Sequence, residues 1–306
     1  MAFLLEITTA RTVPLEPEHS VGRAPVCSLL LDNDYVSAQH ALLRYDGDGW
    51  ILRDLASMNG TWLNDHRIPA GLDQRLERGS RVAFGSLNSA WELIDDSPPA
   101  VMVVPLDGDP PVLIDGDLLA LPSADDPRAM IYRGPGNSWL LEEGDALPVP
   151  ISNLRVFRCG GHAWRFSCPT SVRATTRSES TPTQVPLRNL TVEFRVSLDE
   201  EHVEVRARSD SHVFDMGERS HHYLLLTLAR ARLDDRRNGV LETSAGWVDL
   251  ETICKNSSAP RTQVNVEVFR IRQQFIDSGI LDASGIIERR PGQLRIGSGL
   301  VTVSRR

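Results

Sequence analysis

Lysine is almost missing from this 306-residue chain. Of its 33 basic residues, 32 are Arg and only Lys255 is Lys. No structural need explains the ratio; it reads as a GC-rich coding bias and points to a bacterial source. With its one Lys at 255, the chain has no phosphate-binding Gly loop that carries a Lys, which argues against a nucleotide-dependent enzyme. Four Cys are too few for a disulfide framework. No apolar run approaches the ~20 residues of a membrane helix. The start, Met1-Ala2-Phe3-Leu4-Leu5-Glu6, has neither the positive charge nor the apolar length of a signal peptide. A cytoplasmic protein without membrane contact is expected. Cys159, His162 and Cys168 supply too few ligands for a metal. His212, His221 and His222 are read as incidental, and no Gly-x-Ser-x-Gly nucleophile motif is present. The expectation is a protein that is not an enzyme and needs no metal or cofactor.

Hydrophobic residues make up 41% and charged residues 24%, the balance of an ordinary globular protein, with length for two or three domains. The net charge of -8 is unevenly spread. Residues 1–185 hold 15 basic and 24 acidic residues, against 18 and 17 in residues 186–306. The near-neutral second part leaves room for a local basic face.

Residues 1–97 show short strand-like runs at Ala2–Thr8, Leu29–Leu31, His40–Tyr45, Trp50–Asp54, Arg81–Phe84 and Trp91–Ile94. Turn residues such as Asp46-Gly47-Asp48-Gly49 and Asn64-Asp65 separate them, the pattern of an all-β sandwich or barrel. Residues 98–169 are also β-rich and echo the first segment. Ala129-Met130-Ile131 and Ser138-Trp139-Leu140-Leu141 resemble Ala41-Leu42-Leu43 and Gly49-Trp50-Ile51-Leu52. Arg155-Val156 and Ala163-Trp164 resemble Arg81-Val82 and Ala90-Trp91. A degenerate repeat lacking about one loop and a strand, or an unrelated β segment, fits these matches. Residues 170–187 are a Ser/Thr-rich linker whose Thr175, Thr176, Thr181 and Thr183 are accessible to a kinase.

Residues 188–306 change character. Alternating runs at Leu190–Ser197 and His202–Arg208 predict a hairpin. A helix is predicted from Ser220, as N-cap, to Leu233, with Tyr223, Leu224, Leu226, Leu228 and Ala231 inward. A short helix is predicted at Asp249–Lys255 and a third from Thr262 to Ser278, ending at Gly279. In the third, Val264, Val268, Ile271 and Phe275 share the inward face, and Val266, Arg270 and Gln273 lie opposite. Ile286–Ile296 reads as strand, Pro291-Gly292 turn, strand.

Three fragments in the first domain, Gly22-Arg23, Ser37-Ala38-Gln39-His40 and Asn59-Gly60-Thr61, stand in the order and spacing of the forkhead-associated (FHA) domain. Over residues 3–95 the chain resembles that family. The resemblance implies a β-sandwich whose loops bind a phosphothreonine peptide from a Ser/Thr kinase or its substrate. Arg23 and Ser37 would bind the phosphate and Asn59 the peptide backbone, with Gly22, His40, Gly60 and Thr61 supporting the site. The second segment lacks all three fragments; Asp125 and Arg128 stand where Ser-x-x-His would align.

Residues 188–302 resemble the winged-helix effector domain of OmpR-type response regulators, carried by Val264-Asn265-Val266-Glu267-Val268-Phe269-Arg270-Ile271-Arg272. That resemblance implies that the third helix enters the major groove of double-stranded DNA. Gln263, Arg270 and Gln273 would face bases, and Arg261 and Arg272 phosphates. Arg289, Arg290 and Arg295 would reach the adjacent backbone or minor groove. The expected fold class is multidomain: an N-terminal all-β FHA sandwich, a second β-rich segment and a C-terminal α+β winged helix-turn-helix. The expected function is a bacterial phosphothreonine-dependent transcriptional regulator downstream of a Ser/Thr kinase. The alternative is a signalling adaptor whose winged helix contacts protein.

Overall fold

Short alternating runs make the first domain a sandwich, because each strand has one face to bury and a turn at either end. The computed structural model describes residues 1–107, 109–168 and 185–306. Eleven strands come first. They are β1 (Phe3–Glu6), β2 (Thr12–Pro14), β3 (Glu18–Gly22), β4 (Leu29–Leu30), β5 (Ala41–Tyr45) and β6 (Trp50–Asp54). β7 (Thr61–Leu63), β8 (His66–Arg67), β9 (Asp73–Leu76), β10 (Arg81–Phe84) and β11 (Ala90–Asp95) follow. They form two sheets, of order β2-β1-β11-β10-β7-β8 and β4-β3-β5-β6-β9. Leu4, Leu15, Leu43, Trp50, Leu52, Phe84 and Trp91 share the core of this domain. Six strands fall on the runs read from the sequence. β2, β7, β8 and β9 have two to four residues, and β3 has a single large apolar residue, so their alternation is too weak to see. Asn64 and Asp65, with φ of +48° and +65°, close the two-residue β7–β8 hairpin. Positive φ at both central residues suits Asn and Asp and matches strand twist.

Eight more strands follow: β12 (Met102–Pro105), β13 (Val112–Leu113), β14 (Leu118–Ser123) and β15 (Asp126–Arg133), then β16 (Trp139–Glu143), β17 (Val149–Pro150), β18 (Val156–Cys159) and β19 (His162–Ser167). Their sheets run β13-β12-β19-β18 and β14-β15-β16-β17. That order repeats β2-β1-β11-β10 and β3-β5-β6-β9 of the first domain, without counterparts of β4, β7 and β8. The sequence matches fall on equivalent hairpins: β15–β16 pairs Arg133 with Trp139 where β5–β6 pairs Tyr45 with Trp50.

The last third opens with β20 (Thr191–Val196), β21 (Val203–Arg208) and β22 (Val213–Glu218). Helix α1 (His222–Arg237), strand β23 (Val248–Asp249), α2 (Leu250–Ser257) and α3 (Arg261–Asp277) follow. The hairpin β24 (Ile287–Arg290) and β25 (Gln293–Ile296) precedes the final strand β26 (Val301–Arg305), which runs parallel to β20. Ser220 is not the α1 cap. The helix starts at His222, and the imidazoles of His221 and His222 each lie 2.9 Å from Gln274 Oε1 on α3. Tyr223 is 40% exposed rather than inward, and Leu225 and Ala229 are buried instead. Helix α1 also runs on to Arg237, with Arg236 and Arg237 at the end where the helix dipole favours cations. Helix α3 ends as expected before Gly279, whose φ of +78° terminates it. Among the described residues no helix is long and apolar enough to cross a membrane.

The chain forms two compact units, and they divide the expected 98–169 segment. One holds Met1–Leu113, Asn153–Val156 and the described residues from Arg165. The other holds Ile114–Ser152, Phe157–Trp164 and the described residues from Val185 to Arg306. The expected linker lies outside the described residues up to Gln184. Within the second unit, Leu118, Met130 and Tyr132 enter the same core as Val264, Val268, Ile271 and Phe275. Val266, expected to face outward, is buried at 5% exposure.

A carboxylate lies inside that core. Glu142 on β16 is fully buried, with Oε2 2.9 Å from Arg272 Nη2 and Oε1 2.8 Å from Arg289 Nε. Tyr132 donates its hydroxyl to Glu142 Oε2 at 3.0 Å, and its ring lies 4.3 Å from the Arg272 guanidinium carbon. Arg272 also donates to the carbonyls of Ser284 and Ile287, and Arg289 to Asn265 Oδ1. Burial raises the pKa of Glu142, but the two guanidinium groups outweigh it and leave the carboxyl below its ordinary range.

Removing one partner of a buried ion pair leaves an uncompensated charge. Glu142→Ala is expected to destabilise the second unit by about 3–5 kcal/mol in denaturant unfolding. Because the folded pKa is depressed, the contribution of Glu142 is complete above the ordinary value of about 4.3 and falls away as pH drops through the lowered one. Acid unfolding of Glu142→Gln should therefore lose that part of the wild-type pH dependence. An unchanged acid profile would refute the role.

Candidate functional site

The three sequence fragments of the first domain come together on neighbouring loops. Arg23 follows β3 directly, and its backbone N–H donates to the Ser37 carbonyl at 3.0 Å. Ala24 does the same to Ala38, also at 3.0 Å. This close approach requires Gly22, since a Cβ there would stand 2.3 Å from the Ala38 oxygen. The Arg23 side chain is exposed, and its Nε lies 3.4 Å from the Val36 carbonyl. The guanidinium is thus steadied at one nitrogen and keeps its other donors for an anion.

Ser37 Oγ accepts the Met58 N–H at 3.0 Å, so its own hydrogen remains available to donate. Asn59 Nδ2 donates to the Tyr35 carbonyl at 2.9 Å. That bond fixes the side chain and leaves its carbonyl oxygen and second N–H able to bond elsewhere. Arg23, Ser37 and Asn59 therefore belong to one cluster of loops, cross-linked by their own backbone bonds.

His40 braces the cluster from beneath. It is fully buried; its Nδ1 accepts the Ser37 N–H at 3.0 Å, so the ring proton lies on Nε2, which donates to the Gly60 carbonyl at 3.1 Å. Burial lowers its pKa and outweighs the opposing pull of Gly60 and Asp54, which keeps the ring neutral at pH 7. Gly60 has φ of +90°, a conformation in which a side chain is strained.

Asp54, at the end of β6, is the organiser that the sequence reading missed. Its Oδ2 accepts the hydroxyls of Ser57 and Thr61, both at 2.6 Å, and its Oδ1 accepts the Ser57 N–H at 3.0 Å. Ser57 Oγ in turn accepts the Gly60 N–H at 3.0 Å. Burial raises the Asp54 pKa, but these bonds lower it by more, so the carboxylate stays ionised. Asp54-x-x-Ser57 was the available signal: an Asp that can bond the backbone three residues on.

The second unit treats its expected DNA residues differently. Arg272 and Arg289 are corrected to core residues, with side chains 1% and 0% exposed and paired with Glu142. Strands β14–β16 pack on the side of α3 that would have to meet phosphate. Arg261 and Arg270 remain half exposed but face carboxylates, Arg261 with Asp145 at 3.0 Å and Arg270 with Asp125 at 3.2 Å. Arg295 pairs with Glu288, and both Arg290 and Arg295 lie over Trp247, at 4.3 and 4.5 Å. Gln263 is exposed at the start of α3, and Gln273 donates to Asp277 at 2.7 Å.

Residues 19–85 match the family model of the FHA domain, and the chain carries that domain. Over 79 residues it is 35% identical to the FHA domain-containing protein FhaB of Mycobacterium tuberculosis, covering 26% of this chain and 50% of that protein. Over 70 residues it is 33% identical to the glycogen accumulation regulator GarA of Mycolicibacterium smegmatis, covering 23% and 42%. The chain thus spans about half, or less, of the length of these curated relatives. Among solved structures, Mycobacterium tuberculosis EmbR in complex with a low affinity phosphopeptide is similar at 24% identity. The match covers 32% of this chain and 25% of that one, with a TM-score of 0.29.

Asp54→Ala removes the acceptor of three bonds. The first domain should lose about 1–3 kcal/mol of stability for each donor left buried without a partner. Thermal unfolding measures the loss; a melting temperature equal to wild type would show that Asp54 does not hold the loops.

Proposed function

We propose that this chain is a signalling protein that reads phosphothreonine peptides through Arg23, Ser37 and Asn59. The observation that carries the reading is the convergence of these side chains on loops held by Asp54 and His40. Arg23 supplies charge-assisted bonds to a phosphate oxygen, and the Ser37 hydroxyl a second donor. Asn59 holds the peptide backbone extended. The partner is a Ser/Thr kinase or a protein that such a kinase has modified.

The pair of sheets that follows the first domain repeats its strand order in reduced form. It lacks counterparts of β7 and β8, and with them an Asn-Gly-Thr turn. Asp125 and Arg128, aligned with the Ser-x-x-His positions, serve in ion pairs with Arg270 and Asp126. The role of its β14-β15-β16-β17 sheet is to cover α3 and complete the core of the second unit.

For the output of the signal, the geometry favours an adaptor. Two of the eight expected DNA residues are in the core, and Arg261, Arg270 and Arg295 already face carboxylates. The transcriptional reading rests on a different observation: the order α1, β23, α2, α3, hairpin is that of a winged helix, and Gln263, Gln273 and Arg290 remain at its surface.

Titration of fluorescent phosphothreonine peptides should show saturable binding by the wild type and a loss of at least tenfold in Arg23→Ala. Equal binding by the two would sink the assignment. A salt series of the full chain with random duplex DNA separates the two outputs. An adaptor shows no binding even at low salt, whereas a DNA-reading protein loses affinity with a log–log slope of about -0.9 per phosphate contact.

A further inference from the structure

Arg67 lies against the Asn59-Gly60-Thr61 turn that would meet the peptide. It is the second residue of β8, paired across the hairpin with Trp62, whose ring centroid is 6.0 Å from its guanidinium carbon. A Cβ on Gly60 would stand 2.3 Å from Arg67 Nε and 2.8 Å from both Cζ and Nη2. The guanidinium therefore rests on Gly60, between Asn59 and Thr61, in space that only a glycine leaves open. The side chain is exposed. Arg44, Arg53 and Arg75 of the same domain each have an Asp partner; among the described residues Arg67 has none.

We infer that Arg67 is a specificity-determining residue that selects a phosphothreonine peptide with an acidic side chain near the phosphothreonine. The inference rests on the phosphopeptide reading and adds the class of partner. Arg67 is held in place by Gly60 and Trp62, so little side-chain freedom is lost when a carboxylate binds. Its planar fork suits a bidentate carboxylate contact better than an ammonium group would. Arg23 stands on a different loop and is left to the phosphate.

The test uses the full chain and fluorescent phosphothreonine peptides in an alanine background. Glu or Gln is placed in turn at each of about four positions on either side. At one position Glu should bind about two- to fivefold tighter than Gln at low salt, the range for an exposed ion pair, and the preference should shrink as salt rises. Arg67→Gln should abolish that preference while binding the Gln peptide within about twofold of wild type. Arg67→Glu should reverse the preference toward a Lys peptide. The inference is overturned by a wild type that binds without any Glu preference, or by a preference that survives in Arg67→Gln. Equal weakening of the Glu and Gln peptides by Arg67→Gln overturns it too, since Arg67 would then bind phosphate or support the turn. If wild type and Arg23→Ala both fail to bind any phosphothreonine peptide, the underlying reading itself has failed.

Discussion

Glu142 sits without solvent between two guanidinium groups, and the second unit is arranged around that charge. A lone carboxylate in an apolar core costs several kcal/mol, so partners must be fixed near it. Arg272 comes from α3 and Arg289 from the hairpin that follows. Tyr132 comes from β15, next to the strand that carries Glu142. Arg272 donates further to the carbonyls of Ser284 and Ile287 and to Met130 Sδ, and Arg289 to Asn265 Oδ1 and Asp145 Oδ1. One residue thereby ties β15 and β16 to the third helix and the hairpin. Asp145 extends the network outward by pairing with both Arg289 and the half-exposed Arg261, while the more exposed pair of Arg270 with Asp125 contributes little.

This arrangement changes what α3 can do. Its sequence resembles that of a helix with a basic face toward DNA. In the structure, much of that basicity neutralises acidic residues of the β14-β15-β16-β17 sheet and its turns. The near-neutral charge of residues 186–306 is therefore a poor measure of the surface they present, because Arg272 and Arg289 are taken out of it and acidic Asp125 and Asp145 are added from elsewhere in the chain.

The first domain solves a related problem at its loops. A buried carboxylate, Asp54, is kept ionised by two hydroxyls and an N–H, and the turn it organises places Asn59 and Gly60. A neutral His40 ties that turn to the loop of Ser37. The residues facing a ligand are thus few, and the residues that position them lie beneath. Asn59 is held by its own bond to the Tyr35 carbonyl and Arg23 by its contact with the Val36 carbonyl, so both exposed side chains stand on a braced backbone.

The sequence by itself determined the sandwich and the loop cluster. Alternation over five-residue strands and the fragments at 22–23, 37–40 and 59–61 are local signals, and the helices and final hairpin were legible from periodicity and turn residues for the same reason. Short polar strands such as Thr12–Pro14 and Asp73–Leu76 were not, because their partners and not their residues make them strands. Only the tertiary structure decided the fate of α3. Whether Arg272 faces water or core depends on what packs against the helix, and that partner lies more than a hundred residues earlier in the chain. Helical periodicity reports which residues share a face, but burial is a property of two surfaces in contact. The second surface here carried no local mark of its destination.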